Sequence, residues 1–124
     1  MTRHIVFTRR HVIGAAAIIA IGLVLPAQAA DPVKIGLVAA LSGQSAKSGE
    51  GITRGLTVAI DEINARGGVL GGRKLELIRR DDESNPAKGQ VAARELIQNE
   101  KVPVIFGGID TPVAMAIVPI ANKE

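Results

Sequence analysis

The most constraining feature of this chain is a change of hydrophobic pattern between Lys34 and Gly68. Residues Lys34–Ala40 are apolar at nearly every position, as a strand covered on both faces must be. A small polar stretch, Ser42–Ser48, follows. Beyond it, Ile52, Leu56, Ala59, Ile60 and Ile63 recur at spacings of three and four. That spacing puts them on one face of a helix over about 49–66. Ser48 suits its N-cap, and Gly67 suits the left-handed position past its end. A strand buried on both faces needs parallel neighbours and helices above and below it, so this unit predicts a layered α/β fold.

The remaining chain repeats the alternation. Lys74–Arg80 reads as a second strand, with Leu75, Leu77 and Ile78 as its apolar positions. Asn85-Pro86 is a helix start, Asn as cap and Pro in the first turn. The second helix runs to about Asn99, with Val91, Ala92, Leu96 and Ile97 toward the core. Pro103–Phe106 reads as a third strand, and Thr111-Pro112 opens a third helix that Pro119 kinks or locally distorts. The order βαβαβα predicts a parallel, doubly wound sheet joined by right-handed crossovers.

Residues 1–29 read as a secretory signal. Arg3, Arg9 and Arg10 form its positive end, Val12–Leu25 is an uncharged apolar run, and Ala27-Gln28-Ala29 is a cleavage site of small residues. The run is shorter than the ~20 residues that span a bilayer, which argues against an uncleaved anchor. Thr8–Ile13 partly matches a twin-arginine signal, so that route and the general secretory route both stay open. The expected product is soluble and periplasmic. It starts at Ala30, with no cysteine near the cleavage site for a lipid anchor.

The leader also explains the basic balance of the chain. It carries three of the 15 Lys and Arg residues and none of the 12 Asp and Glu residues, so the charges after it cancel. A basic surface for nucleic acid or anionic membrane is thereby excluded. Both histidines, His4 and His11, lie in the leader, and the chain has no Cys, Trp or Tyr. No Cys nucleophile, His base, disulfide or Cys/His metal site is available, and no cofactor is expected. About 95 residues follow the leader, and an α/β pattern that stops at Glu124 within a helix is expected to be the first part of a longer protein.

Three loops fall where open α/β sheets bind ligands, past the carboxyl ends of the strands. The first holds Ser42, Ser45 and Ser48, either a plain turn or a polar contact for a ligand. Gly43 and Lys47-Ser48 do not have phosphate-loop spacing. The second holds Asp81-Asp82-Glu83. It reads as a solvated loop balancing Arg79 and Arg80 and favouring the helix at Pro86, the alternative being a cation or acid/base site. The third holds Asp110-Thr111, where Thr111 can cap the helix, Asp110 can accept N–H groups, and both can face a solute.

In order and spacing, several segments resemble the periplasmic leucine/isoleucine/valine-binding proteins, the substrate-binding subunits of hydrophobic amino acid ABC importers. They are Lys34–Gly43, Gly55 with Ala59–Asn64, Gly67-Gly68, Gly72–Leu75, Asp81-Asp82, Asn85-Pro86 and Pro103–Gly107. The resemblance covers everything after the leader. It implies a two-lobed α/β receptor of which 30–124 is part of the N-terminal lobe. Its partners would be a small-molecule ligand and an inner-membrane ABC permease, and it would act as a monomer without catalysing a reaction.

In that family the loop after the third strand grips the ligand's α-carboxylate, which carries over to Gly108, Ile109, Asp110 and Thr111. An aromatic residue often packs on the ligand at the position of Ser48. Ser48 and Asp110 are both departures from the pattern, since branched-chain members commonly carry Ser where Asp110 stands. An Asp facing a carboxylate would repel it, so either Asp110 turns away to cap or the ligand offers a donor there. Amides, urea and aromatic acids remain open as ligands beside amino acids. A sensory domain of the same fold and an exported enzyme are the alternative functions.

Overall fold

The computed structural model describes residues 30–122. The expected leader over 1–29 with its cleavage site lies outside them, as do Lys123 and Glu124. Six elements follow in order: β1 (Val33–Ala39), α1 (Ala46–Ala65), β2 (Leu75–Asp81), α2 (Pro86–Gln98), β3 (Ile105–Gly107) and α3 (Thr111–Ala121). The three strands form one parallel sheet in the order β2-β1-β3. Val33 pairs with Leu75 through to Ala39 with Asp81, and Gly36–Val38 pair with Ile105–Gly107. The apolar first strand is therefore the central one, and Leu37, Val38, Ala39 and Ala40 are fully buried.

The strand order fixes the layers. The chain steps from β1 outward to β2, then crosses back over β1 to β3, so right-handed crossovers put α1 on one face and α2 on the other. Val38 joins Ala92, Ala93 and Leu96 of α2 and Val113 and Ile117 of α3 in one core cluster. The stripe that packs on the sheet is Gly89, Ala92, Ala93 and Leu96. Val91 instead points outward, 55% exposed. Gly89 has no room for a side chain because α3 lies so close: a Cβ there would sit 2.7 Å from Val113 Cγ1. On α1, Ile60 is buried and Leu56 and Ile63 are half-buried, while Ile52 and Ala59 of the expected stripe are exposed.

The helix ends follow local chemistry where a side chain is free to supply it. Asn85 caps α2, its Oδ1 accepting from Ala87 N–H (2.9 Å) and Lys88 N–H (3.2 Å). After α1, Gly67 N–H reaches Asn64 O and Gly68 N–H reaches Ile63 O, a Schellman closure on two left-handed glycines. Asn64 then aligns β2, its Oδ1 accepting from Leu75 N–H and its Nδ2 donating to Leu75 O.

Two starts differ from the expected ones. Helix α1 begins at Ala46 with Ser45 at its N-cap, so Ser48 lies inside the first turn and caps nothing. Gly43, at φ +79°, turns the chain early enough for the helix to start three residues sooner. Helix α3 has Asp110, not Thr111, at its N-cap. It runs through Pro119, which has no N–H to give to the preceding turn. Among the described residues no helix is long and apolar enough to cross a membrane.

Candidate functional site

The three loops meet at the carboxyl edge of the sheet because β1 lies between β2 and β3. Asp81, the last residue of β2, ties the first loop to the second. Its Oδ1 accepts from Leu41 N–H (2.9 Å), Ser42 N–H (3.3 Å) and Glu83 N–H (2.9 Å), and its Oδ2 accepts from Ser42 Oγ (2.5 Å). Burial alone would raise the Asp81 carboxyl. The bonds from Ser42 Oγ and from the Glu83, Leu41 and Ser42 N–H groups outweigh it and hold the pKa below the usual carboxylate value.

Asp82 is the one buried ionisable side chain among the described residues, 1% exposed. Its Oδ1 accepts from Ser84 N–H at 2.8 Å. Burial pushes its pKa up, the Ser84 bond pulls it down, and the nearby carboxylates of Asp81 and Asp110 push it up further. Glu83 pairs with Lys88 across the start of α2. The expected balance with Arg79 and Arg80 does not form at this loop: Arg80 bridges Glu95 and Glu100 instead. The acidic run is thus a structural joint, and among the described residues no group of three His, Cys, Asp or Glu side chains is arranged to hold a metal ion.

The first and third loops are joined by a side-chain bond, Ser45 Oγ donating to Asp110 Oδ1 at 2.8 Å. The other oxygen, Oδ2, is buried and has no hydrogen-bond partner among the described residues. Ser45 and Asp110 are the N-cap residues of α1 and α3, and neither side chain caps its own helix. The two caps are turned toward each other, so neither helix has a side-chain acceptor for its first-turn N–H groups; on α1, Ala46 N–H still reaches Gly43 O, and Ser48 and Gly49 N–H reach Ser45 O. On α3 only the Thr111 amide is both free and on an exposed residue, since Pro112 has none, Val113 is fully buried and Ala114 N–H already reaches Asp110 O (3.0 Å).

Glycines let the backbones close up at this edge. A Cβ on Gly107 would fall 2.2 Å from Val38 O, and one on Gly108 would fall 2.7 Å from Ala114 Cα. On the first loop's helix, a Cβ on Gly49 would fall 1.9 Å from Ala40 O, so α1 presses its first turn onto the end of the central strand.

Of the five residues singled out from the sequence, Gly108, Ile109 and Asp110 are half-buried in the third loop, and Thr111 is exposed at the first turn of α3. Ser48 is exposed on the first turn of α1, one turn from Ser45. Among the described residues no hydrogen bond joins Ser48 to the third loop. Sequence reasoning missed the partnership of Ser45 and the close approach of Gly49. The only local signal was their neighbourhood: a serine and a glycine flanking a strand-to-helix turn.

Residues 32–124 match the periplasmic binding protein family. A leucine/isoleucine/valine-binding protein homologue of Brucella abortus is 39% identical over 97 residues, covering 77% of this chain and 24% of that protein. The branched-chain amino acid transporter substrate-binding protein LivJ of Streptococcus pneumoniae, solved with isoleucine, superposes with a TM-score of 0.71 at 32% identity. It covers 74% of this chain and 26% of its own. A solute-binding protein of an ABC transporter from R. palustris, solved with benzoate, superposes with a TM-score of 0.63 at 41% identity, covering 74% of this chain and 25% of its own. This chain therefore spans about a quarter of the length of the curated relatives it matches. Parallel sheet, crossover helices and sequence agree: the chain belongs to the periplasmic binding protein family, in its leucine/isoleucine/valine-binding protein-like group.

Proposed function

We propose that this chain is the N-terminal part of an exported solute receptor serving an ABC importer, and that it binds a small organic acid at the carboxyl edge of its sheet. The observation that carries the reading is the pair of helix N-termini, α1 and α3, whose cap side chains are engaged with each other rather than with their own amides. The free Thr111 N–H and the helix dipoles favour a carboxylate there. Isoleucine and benzoate, the ligands of the two structural neighbours, share that group.

In this reading the exposed start of α3, at the Thr111 amide and hydroxyl, receives the acid group. Gly108 and Ile109 shape the floor, and the small Ser48 leaves room for the ligand's tail. Asp110 serves the site through Ser45. Residues 1–29 act as the cleaved signal and 30–124 as part of the first lobe of a monomeric two-lobed receptor, which releases its solute unchanged to a permease.

A thermal-shift panel on the complete, ligand-stripped receptor tests this. The panel holds branched-chain and aromatic amino acids, benzoates, small amides and urea. A solute that binds only the native state adds about 2.7 kcal/mol at a hundredfold excess over its dissociation constant. A shift confined to carboxylates is expected. A shift with amides or urea alone, or chemical conversion of the bound solute, contradicts the reading.

A further inference from the structure

We infer that Ser45 and Asp110 form a positioning clasp, in which Asp110 orders the binding edge through Ser45 and does not itself meet the ligand as a charge. This rests on the receptor reading above and deepens it. A carboxylate at the binding edge should repel an acid ligand, but the geometry removes the conflict. One oxygen of Asp110 is taken by Ser45 Oγ at 2.8 Å and the other is buried, so neither is presented outward.

The clasp joins residues 65 positions apart, one at the start of α1 and one at the start of α3. It therefore sets the spacing between the two helix N-termini. Among the described residues no other side-chain bond does this from the first-loop side, where Asp81 ties the loop to β2 rather than to β3. The glycines at 107 and 108 leave the third loop little other freedom, because the backbone there is already packed on Val38 and Ala114. Ser45 and Asp110 are thus positioning residues, and what the clasp needs is an acceptor oxygen at position 110, not a negative charge.

That distinction is testable with Ser45→Ala, Asp110→Ala, Asp110→Asn and the double Ser45→Ala/Asp110→Ala in the complete receptor. Asn keeps an acceptor for Ser45 Oγ and removes the charge. Two readouts are taken. Amide hydrogen exchange at Ser48 and Gly49, bonded to Ser45 O, and at Ala114, bonded to Asp110 O, needs no ligand, and calorimetric titration uses L-isoleucine and benzoate as probes.

The clasp requires that Asp110→Asn exchange and bind like wild type. Ser45→Ala, Asp110→Ala and the double variant should each lose protection at both loops and weaken the bound probe by a similar factor, about tenfold, without adding up. An Asp110→Asn that behaves like Asp110→Ala, or a Ser45→Ala that leaves both loops protected, overturns the clasp. If wild type binds neither probe nor any solute of the panel, the receptor reading fails, and the exchange data still decide the clasp.

Discussion

Three glycines on α1 should answer the same substitution in opposite senses. Gly49 lies against the end of the central strand, where an added Cβ would be 1.9 Å from Ala40 O and 2.8 Å from Ala40 C. Real Cβ atoms stay beyond 3.0 Å of such neighbours, so Gly49→Ala forces the first turn outward by about 1.1 Å. Overpacking costs about 1–3 kcal/mol. The upper end applies here because the obstacle is buried backbone rather than a flexible side chain. Alanine returns about 0.8–1.0 kcal/mol of helix propensity, leaving a net loss of about 2 kcal/mol.

Gly51 and Gly55 have nothing within 4 Å of an added Cβ. At each of them Ala should stabilise by about 0.5–1 kcal/mol. Urea unfolding of the three single variants of the complete protein checks this. A Gly49→Ala variant as stable as Gly51→Ala would refute the close approach of α1 to β1, and with it the placement of the Ser45 end of the site.

The remaining expectations are simpler. Asn85→Ala should lose about 0.5–2 kcal/mol, because Asn85 supplies both cap bonds of α2. Thr111→Val should stay within about 0.5 kcal/mol in urea unfolding, because Thr111 is exposed past the cap. Asp82→Asn should raise the melting temperature at neutral pH. The Asp82 pKa is raised in the folded state, so its ionisation opposes folding fully above that pKa, and the opposition fades as pH falls through it toward the ordinary value of 3.8. The advantage of the Asp82→Asn variant over wild type should therefore shrink on acidification. An advantage that is constant from pH 8 to pH 4 would show that the effect is not ionic. Asp81 runs the other way: its lowered pKa stabilises the fold above 3.8, and that contribution is lost as acid protonates it.

Much of this architecture was legible because it rests on short-range patterns. The doubly apolar run at Lys34–Ala40 marked the central strand, and Asn85-Pro86 marked a helix start to the residue. The misplacements came where a distant partner decided the outcome. Ser45 and Ser48 are both acceptable caps for α1. The choice fell to Ser45 through the left-handed turn at Gly43, and its side chain was then taken by Asp110 in the third loop. Thr111 looked like a cap beside Pro112, yet the chain enters the helix one residue earlier. On α2, Val91 fits the helical stripe as well as Ala93 does, but it is Ala93 that lies in the core cluster with Val113 and Ile117 of α3, while Val91 is exposed. In the acidic run, residue type alone could not distinguish the loop-binding Asp81 from the buried Asp82.

The central claim is that an acid ligand sits at the start of α3, beside a clasp that turns Asp110 away from it. A crystal structure of the complete receptor with its best-binding solute tests it most directly. The claim requires the solute's carboxylate within hydrogen-bond distance of the Thr111 amide or hydroxyl, with Ser45 Oγ still on Asp110. A solute held elsewhere, or one whose donor has displaced Ser45 from Asp110, would contradict it.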